Sequence, residues 1–393
     1  MLAIVAPGQG AQTPGFLEPW LEDPAFADRL TWLSAVAGLD LVHYGTKADA
    51  ETIRDTAVAQ PLLVASSMLA ALSLFAHPAD YFGKISVVAG HSVGEIAAAT
   101  GAGVITAEQA MVFVRERGHA MAAASAVTAT GMTAVLGGDR DAVLATLDRH
   151  GLVAANDNGA GQLVAAGTLD QLQALSDDAP EEARLIPLSV AGAFHTEHMR
   201  PAVDVLARLA RSISTHDTRT RLISNRDGQV IHSGPEVLKR LVTQVSNPVR
   251  WDLCMQTMAD LGVTGILEMP PAGTLTGLAR RQLKGVETFA LKTPDQIDDA
   301  LEFVEKHGDA TPIGDSPTWR MLVSPSKGTF NQAPEIPQGA RLDPGTTIGD
   351  VTNLRGATPV LATHGGTIVE WIVEDGDLVS PGQPLVRLHP ESE

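Results

Sequence analysis

The sequence predicts an α/β fold that is followed by a small all-β domain. Short apolar runs, the first of them MLAIVAP at residues 1–7, have the length of buried strands and alternate with Ala/Leu-rich segments of helical spacing. After Arg320 the pattern changes to short strands and frequent turns with glycine or proline, which indicate a β-barrel or sandwich. The chain has 393 residues, which is enough for two or three domains.

Composition excludes several classes of protein. The formal net charge of −18 argues against nucleic acid as the main partner. The single cysteine, Cys254, excludes an internal disulfide and is consistent with a reducing compartment. We count no apolar run of the roughly 18–20 residues that span a bilayer, and the first residues lack the pattern of a secretory signal. We therefore expect no membrane partner and a cytoplasmic location.

The first strand is predicted to end in a ligand-binding loop. Residues 8–12, GQGAQ, follow it at the carboxyl end, where open α/β sheets collect their active sites. Their glycines allow the backbone to approach a ligand closely, although an ordinary strand-to-helix turn fits equally well. Residues 17–85 are then helical, with one long apolar helix predicted over 56–76.

The next strand leads into a serine on a sharp turn. Ile85–Ala89 is β-branched and apolar, residues 90–94 read GHSVG, and an Ala-rich helix follows. This strand–turn–helix pattern predicts a nucleophilic Ser92 at a helix N-terminus, where free N–H groups favour developing negative charge. The alternative is a glycine-bounded helix in which Ser92 is only the N-cap.

A later helix carries an arginine on its apolar face. Thr106 and Gln109 fit a capping box, and the helix that follows buries positions that include Phe113, Val114 and Met121. Arg117 has the same spacing, and a buried guanidinium is costly unless it meets an anion. That anion is either an internal Asp or Glu or a ligand carboxylate.

Residues 130–190 predict an inserted subdomain. The order is βαββαβ, as in ferredoxin-like folds, with elements at 131–136, 140–149, 152–156, 162–166, 169–177 and 184–190. Residues 156–159 form a turn within it, and Asn158 in that turn is a candidate substrate-binding residue.

The chain then returns to the larger domain through a loop histidine. His195 follows the last strand of the subdomain in an apolar loop, and it is the candidate base for Ser92. No carboxylate in a good loop position stands out as the group that orients this base, so a carbonyl acceptor is plausible. Residues 200–300 complete the α/β domain, with strands ending at Asn225 and Met269 and a helix over 275–283.

These residues suit the chemistry of acyl transfer. A tetrahedral intermediate needs two donors, and the N–H of Val93 and a backbone N–H in residues 8–10 could supply them. Arg117 would favour an acyl group with its own carboxylate, because arginine binds carboxylates bidentately.

Residues 1–300 resemble the malonyl-CoA:acyl carrier protein transacylase family. The motifs that carry this resemblance occur in the order typical of that family: PGQGAQ at 7–12, GHSVGE at 90–95, Arg117-Gly118, GAFH at 192–195 and QVSNPVRW at 244–251. The run EMPPAGTLTGL at 268–278 is similar to a further motif but has Pro271-Ala272 where Pro-Gly is usual.

The resemblance implies catalytic roles for Ser92, His195 and Gln244. Ser92 would be the acylated nucleophile, His195 its base, and the main-chain carbonyl of Gln244 the group that orients the base. It implies substrate-binding roles for four further residues: the N–H groups of Gln9 and Val93 as the oxyanion hole, Arg117 as the carboxylate ligand and Phe194 as part of a malonyl-selecting tripeptide. It implies no cofactor, since phosphopantetheine belongs to the carrier protein.

The implied reaction moves malonyl from malonyl-CoA to the thiol of acyl carrier protein, in fatty acid or polyketide synthesis. Two alternatives stay open: an acyl hydrolase that uses the same serine, and a docking protein of a carboxylase or synthase assembly. Carrier proteins of this family are usually acidic, so Arg280, Arg281 and Lys284 are a possible docking patch or simply a solvated helix face.

The C-terminal segments 322–330 and 365–388 resemble the two halves of a biotinyl/lipoyl carrier domain. Counting from Gly366, the modified lysine of such domains falls at Arg355, which cannot form the amide. We therefore expect this segment to dock a partner protein or to act as a spacer, or else to be only a structural appendage.

The resulting domain plan has four parts. A hydrolase-like α/β domain comprises residues 1–125 and 191–300, with the ferredoxin-like subdomain at 126–190 inserted in it. A linker is predicted over 301–320, and the biotinyl/lipoyl-like domain over 321–393.

Overall fold

A computed structural model of the chain describes residues 1–190, 192–308, 320–337, 339–363 and 365–389. The chain divides into two compact units, Met1–Ile313 and Gly314–Glu393. The boundaries of the four-part domain plan stay predictions, with one exception described below.

The N-terminal unit is a mixed α/β structure. Its strands are β1 (Leu2–Ala6), β2 (Ile85–Gly90), β3 (Thr130–Gly137), β4 (Val153–Asp157), β5 (Gln162–Thr168), β6 (Ala183–Pro187), β7 (Arg221–Ile223), β8 (Val230–Ile231), β9 (Val249–Arg250), β10 (Gly265–Glu268) and β11 (Glu287–Ala290). Its helices are α1 (Pro24–Ala37), α2 (Leu41–Thr46), α3 (Thr56–Leu74), α4 (Pro78–Lys84), α5 (Gly94–Gly101), α6 (Ala107–Ser125), α7 (Arg140–Arg149), α8 (Leu169–Asp177), α9 (Arg200–Ala210), α10 (Gly234–Gln244), α11 (Trp251–Asp260), α12 (Thr274–Gln282) and α13 (Ile297–His307).

The central sheet has the order β11-β10-β1-β2-β7-β8 and is parallel up to β7, which pairs with β8 in the antiparallel sense. Side chains of β1 and β2 alternate between two cores. One core holds Ile4 and Val88 with α1, α3, α5 and α6, and the other holds Val5 and Val87 with α11 and α12. The carboxyl ends of β1, β2 and β7 consequently lie side by side, and their loops form the site described below.

The inserted region has the predicted βαββαβ order. Its sheet runs β6-β3-β5-β4-β9, and the β3–β5, β3–β6 and β4–β5 pairs are antiparallel. The first four positions have the strand order of ferredoxin-like folds. Strand β9 joins in parallel beside β4, although it belongs to the stretch assigned to the larger domain. Because β9 has two residues, periodicity does not reveal it.

Helix α3 is the long apolar helix that the sequence predicts. It has the length and mean hydropathy of a membrane-crossing helix, 19 residues with a value of 1.7, although the sequence analysis counted no such run. The protein itself buries 78% of the apolar window. Helix α3 is therefore a core helix, packed against α1, α5 and α6.

The predicted linker is wrong over residues 301–307, which form the second half of α13. Its buried residues Ala300, Phe303 and Val304 have helical spacing and belong to the main core, which holds the segment in place. The charged residues between them are the exposed face of an amphipathic helix. Residues 309–319 lie outside the described residues.

The C-terminal unit consists of β-strands. They are β12 (Arg320–Val323), β13 (Gly328–Gln332), β14 (Arg341–Leu342), β15 (Thr347–Asn353), β16 (Gly356–Leu361), β17 (Gly366–Trp371), β18 (Leu378–Val379) and β19 (Pro384–His389). They form two sheets, β12-β19-β17-β14 and β16-β15-β13-β18, around a core that contains Phe330, Ile348 and Leu385. Strands β15 and β16 form a hairpin whose turn is Leu354-Arg355.

Candidate active site

Ser92 lies on a strained turn between β2 and α5, which we call the serine turn (residues 90–94). Its φ of 52° lies in the left-handed region, where a non-glycine residue is uncommon. A Cβ on Gly90 would overlap the backbone of Gly94, and one on Gly94 would overlap the backbone of Ala6. Glycine is therefore required at both positions, because a neighbouring backbone approaches too closely for any side chain. The N-cap of α5 is Val93, so the interpretation of Ser92 as an N-cap is wrong.

The structure brings His195 and the carbonyl of Gln244 to Ser92. His195 Nε2 is 2.8 Å from Ser92 Oγ, and His195 Nδ1 is 2.9 Å from the main-chain oxygen of Gln244. A carbonyl only accepts, so Nδ1 carries the proton and Nε2 is free to accept the serine hydroxyl proton. His195 also has a left-handed φ, 62°, and its own N–H donates to the oxygen of Val245.

His195 is a weak base in this setting. Its burial, and then the nearby Arg117 cation, lower the pKa of its imidazole to about 3. The imidazole is therefore neutral at physiological pH and available to take a proton.

Arg117 is buried in the wall of the same cavity. Its NH1 donates to Gln60 Oε1 at 2.6 Å and its NH2 donates to Ser92 Oγ at 3.2 Å. Within the described ranges no carboxylate lies within ion-pair distance of this guanidinium. The nearby carboxyl of Glu95 has its pKa raised by burial to about 8. The structure thus offers Arg117 no paired internal anion, and this favours the alternative in which it meets a ligand carboxylate.

Two backbone N–H groups border the serine without an intramolecular acceptor. In the part of the chain that the structure describes, no hydrogen bond uses the N–H of Gln9 or Val93. The loop with Gln9 lies against the serine turn because residue 8 is glycine: a Cβ there would be 2.8 Å from His91 Nδ1. The side chain of Gln9 points away and donates to Arg54 O and Thr56 Oγ1.

Two residues that were not predicted from the sequence hold this arrangement. The Asn225 side chain accepts from the N–H of Ser92 at 2.7 Å and donates to the oxygen of Gly90 at 2.7 Å. Gln60 fixes one arm of Arg117. The one signal in the sequence is that Gln60 is a polar residue inside the apolar α3 and that Asn225 closely follows a strand of the sheet.

A cavity of about 80 Å³, which we call the serine cavity, opens beside Ser92. It is lined by predicted site residues and by further side chains: Gln9, Gln60, His91, Ser92, Val93, Arg117, Met121, Met132, Asn156, Val164, Leu188, Val190, Phe194 and His195. Asn158 does not line it; its Oδ1 is 2.8 Å from His91 Nε2. The candidate docking patch lies apart on α12, where Arg280 donates to Thr288 Oγ1.

Known proteins share this architecture. The sequence model of the acyl transferase domain matches residues 4–306, so the C-terminal unit lies outside the match. A malonyl CoA-acyl carrier protein transacylase of Mycobacterium bovis is 51% identical over 299 residues, covering 76% of this chain and 99% of that protein. One of Escherichia coli is 31% identical over 308 residues, covering 76% and 98% respectively.

Solved structures agree with these relatives. The crystal structure of MCAT from Mycobacterium tuberculosis superposes with a TM-score of 0.74 at 51% identity, covering 77% of this chain and 99% of that one.

Proposed function

The chain belongs to the acyl transferase family, and on that premise we propose that it transfers malonyl from malonyl-CoA to the phosphopantetheine thiol of acyl carrier protein. The observation that carries the proposal is the joint placement of Ser92, His195 and Arg117 around one small cavity. The hydroxyl supplies the nucleophile, and the guanidinium supplies the charge that a malonyl carboxylate needs.

In the first half-reaction, His195 Nε2 takes the proton of Ser92 as Oγ bonds to the thioester carbonyl carbon. The N–H groups of Gln9 and Val93 stabilise the resulting oxyanion. The carbon–sulfur bond then breaks, and the CoA sulfur leaves with the proton held by His195. Malonyl-Ser92 remains, with its free carboxylate on Arg117.

The second half-reaction reverses these steps with a different thiol. The phosphopantetheine thiol of the carrier protein gives its proton to His195 and attacks the malonyl ester. The ester bond to Oγ breaks, and Ser92 recovers the proton. Side chains supply nucleophile, base and anion binder throughout, so the proposed reaction needs no resident cofactor.

Other residues tune the site in this proposal. The carbonyl of Gln244 fixes the tautomer of His195, at the observed 2.9 Å. Phe194 forms part of the wall beside the malonyl group. Asn158 acts indirectly, through its hydrogen bond to His91 in the serine turn. A cytoplasmic location and a place in fatty acid or polyketide synthesis are part of the same proposal, which the named relatives support.

The test is a malonyl adduct on Ser92. Intact-protein mass spectrometry after mixing with malonyl-CoA should show one added malonyl group, which peptide mapping assigns to Ser92. The adduct should be absent in Ser92→Ala and should disappear from the wild type when acyl carrier protein is added. No adduct in the wild type, or an adduct that survives in Ser92→Ala, would contradict the proposal.

We also propose that the C-terminal unit is a biotinyl/lipoyl-like domain. It would dock a partner or act as a spacer, and it would not carry a covalently bound biotinyl or lipoyl group. The support is the β15–β16 hairpin, which presents Arg355 at its turn beside the fully exposed Leu354. Arginine cannot form the amide that a carrier needs, and an exposed leucine at a hairpin tip is available for contact with a partner.

A further inference from the structure

A second cavity lies on the core side of the central sheet, and we call it the apolar cavity. Its volume is about 360 Å³, within the range of small-molecule sites. Its walls come from α3, α4 and α5 and from β1 and β2. It shares no lining residue with the serine cavity, and the proposed reaction does not use it.

Small residues create this space. Where a close-packed core would place large side chains, the walls have alanine, namely Ala6, Ala71, Ala97 and Ala98. Aromatic side chains, Phe75, Tyr81 and Phe82, border the remaining volume. Such a lining favours a flexible hydrocarbon over water, because it offers water few polar partners.

One cation lies at the margin of the apolar cavity. The guanidinium of Arg219 lies 4.2 Å from the centroid of the Phe82 ring, and Arg219 is an exposed residue. Among the residues that the structure describes, no carboxylate pairs with it. It therefore stays available to an anionic group at the mouth of the cavity.

The phenol of Tyr81 lines the apolar cavity. Tyr81 is 9% exposed, and burial raises its pKa, so the phenol is a neutral donor. No hydrogen bond of its hydroxyl occurs in the described ranges, whereas the other lining hydroxyls are used: Ser67 donates to Pro270 O and Thr100 to Ile96 O. The phenol oxygen lies against Gly101, where a Cβ would be only 2.6 Å away from it.

We propose that the apolar cavity binds a fatty acid, with the chain among the small residues and the carboxylate on Arg219. A methylene, like a water molecule, takes up about 30 Å³, so the volume of the apolar cavity accommodates about twelve carbon atoms. The chain would contact α3 and α5, the two helices that also hold Gln60 and the serine turn. A fatty acid would thereby bind to the walls of the acyl-transfer site without occupying it.

The experiment measures dodecanoate binding to the full chain by equilibrium dialysis, below the concentration at which this probe forms micelles. We expect saturable binding of one dodecanoate per chain. Arg219→Gln should weaken dodecanoate binding about tenfold and leave binding of the uncharged dodecanol unchanged, because only the carboxylate uses the guanidinium. Arg211→Gln, an exposed arginine outside the cavity, is the matched control.

A second pair of variants tests the cavity itself. Ala71→Leu fills the space from α3 and should abolish binding of both probes, whereas Ser73→Leu adds the same bulk to the same helix outside the cavity. Ala71→Met offers a more adaptable filling if the leucine variant does not fold. Non-saturable uptake, or unaltered binding in the filled variant, would overturn the site; an unaltered dodecanoate affinity in Arg219→Gln would overturn the assignment of the carboxylate. Neither outcome depends on malonyl transfer.

Discussion

His195, the proposed base, is held in its neutral form by its surroundings. Burial and the Arg117 cation lower its pKa to about 3, against an ordinary value near 6.5. The neutral imidazole then predominates on both sides of pH 6.5. Because the pKa is depressed, the base form is lost only on the acid side, as pH falls toward about 3.

We therefore expect the rate of Ser92 malonylation to stay level between about pH 5 and about pH 8. Single-turnover mixing with malonyl-CoA, quenched and followed by mass spectrometry, measures it at each pH. A fall in the rate with an inflection near pH 6.5 would show that His195 titrates as an ordinary histidine. Below pH 6.5 the unfolded chain binds a proton at this residue and the folded chain does not, so His195 also lowers the free energy of unfolding as pH falls.

In the proposed reaction, Arg117 selects the acyl group through its carboxylate. Arg117→Ala should lower kcat/KM for malonyl-CoA about 100-fold, because the malonyl carboxylate would be buried without its cation. The same change should raise the rate with acetyl-CoA, which places no charge there. Both rates are measured by transfer to acyl carrier protein.

The control for this prediction is Arg115→Ala, two residues earlier on α6, where the arginine pairs with Glu116 at the surface. It should leave both rates unchanged. If Arg117→Ala lowered the malonyl and acetyl rates equally, its role would be to support Ser92 rather than to select the substrate.

At the scale of elements, the serine turn depends on a neighbouring strand. Asn225, two residues after β7, is fully buried and bonds both the N–H of Ser92 and the oxygen of Gly90. Its own N–H donates to Glu95 on α5 at 2.7 Å. One side chain and one N–H therefore tie the strand, the turn and the helix together.

Asn225→Ala should reduce the free energy of unfolding by about 2–5 kcal/mol, since it leaves a buried N–H and a buried carbonyl without partners. It should also lower kcat for malonyl transfer, because the left-handed backbone of Ser92 loses a restraint. Urea unfolding and transfer assays measure the two effects. Asn247→Ala, which breaks a bond to Thr243 in a partly buried loop, is the comparison and should cost less.

Long elements with clear periodicity could be predicted from the sequence, and short ones could not. Helices α7 and α8 begin and end at the residues that were predicted from the sequence. Strand β9 was missed because two residues are too few to show the alternating pattern by which a strand is predicted. Residues 301–307 of α13 were assigned to a linker because the charged face of this helix obscured the apolar stripe formed by Ala300, Phe303 and Val304.

For the site, sequence reasoning depended on residue chemistry. Ser92, His195 and Arg117 were predicted because their motifs have a chemical meaning. Gln60 and Asn225 were missed because they act through contacts between distant parts of the chain, 57 residues for Gln60 with Arg117 and 133 for Asn225 with Ser92. Such contacts depend on the tertiary fold.

At the scale of the whole molecule, each unit has its own hydrophobic core. Deleting 321–393 should therefore leave malonyl transfer within about twofold of the full chain, because every residue assigned to the reaction lies in the N-terminal unit. Transfer assays on the deleted protein measure this. Loss of transfer in a truncated chain that still folds, as judged by circular dichroism, would assign the C-terminal unit to the catalytic fold.

The orientation of His195 by a carbonyl, rather than by a carboxylate, has a consequence for the lifetime of the acyl-enzyme. A dipole stabilises an imidazolium less than a full negative charge does, so the pKa of His195 stays low. A thiol with a pKa near 8.5 can still be deprotonated in its presence, whereas water, near 15.7, is far more difficult. We expect malonyl-Ser92 to have a half-life of minutes in buffer. After the thiol of the carrier protein is added, the malonyl group should be transferred within seconds. The half-lives of the isolated adduct with and without carrier protein measure this partition, in which the weakness of the base protects the ester from water.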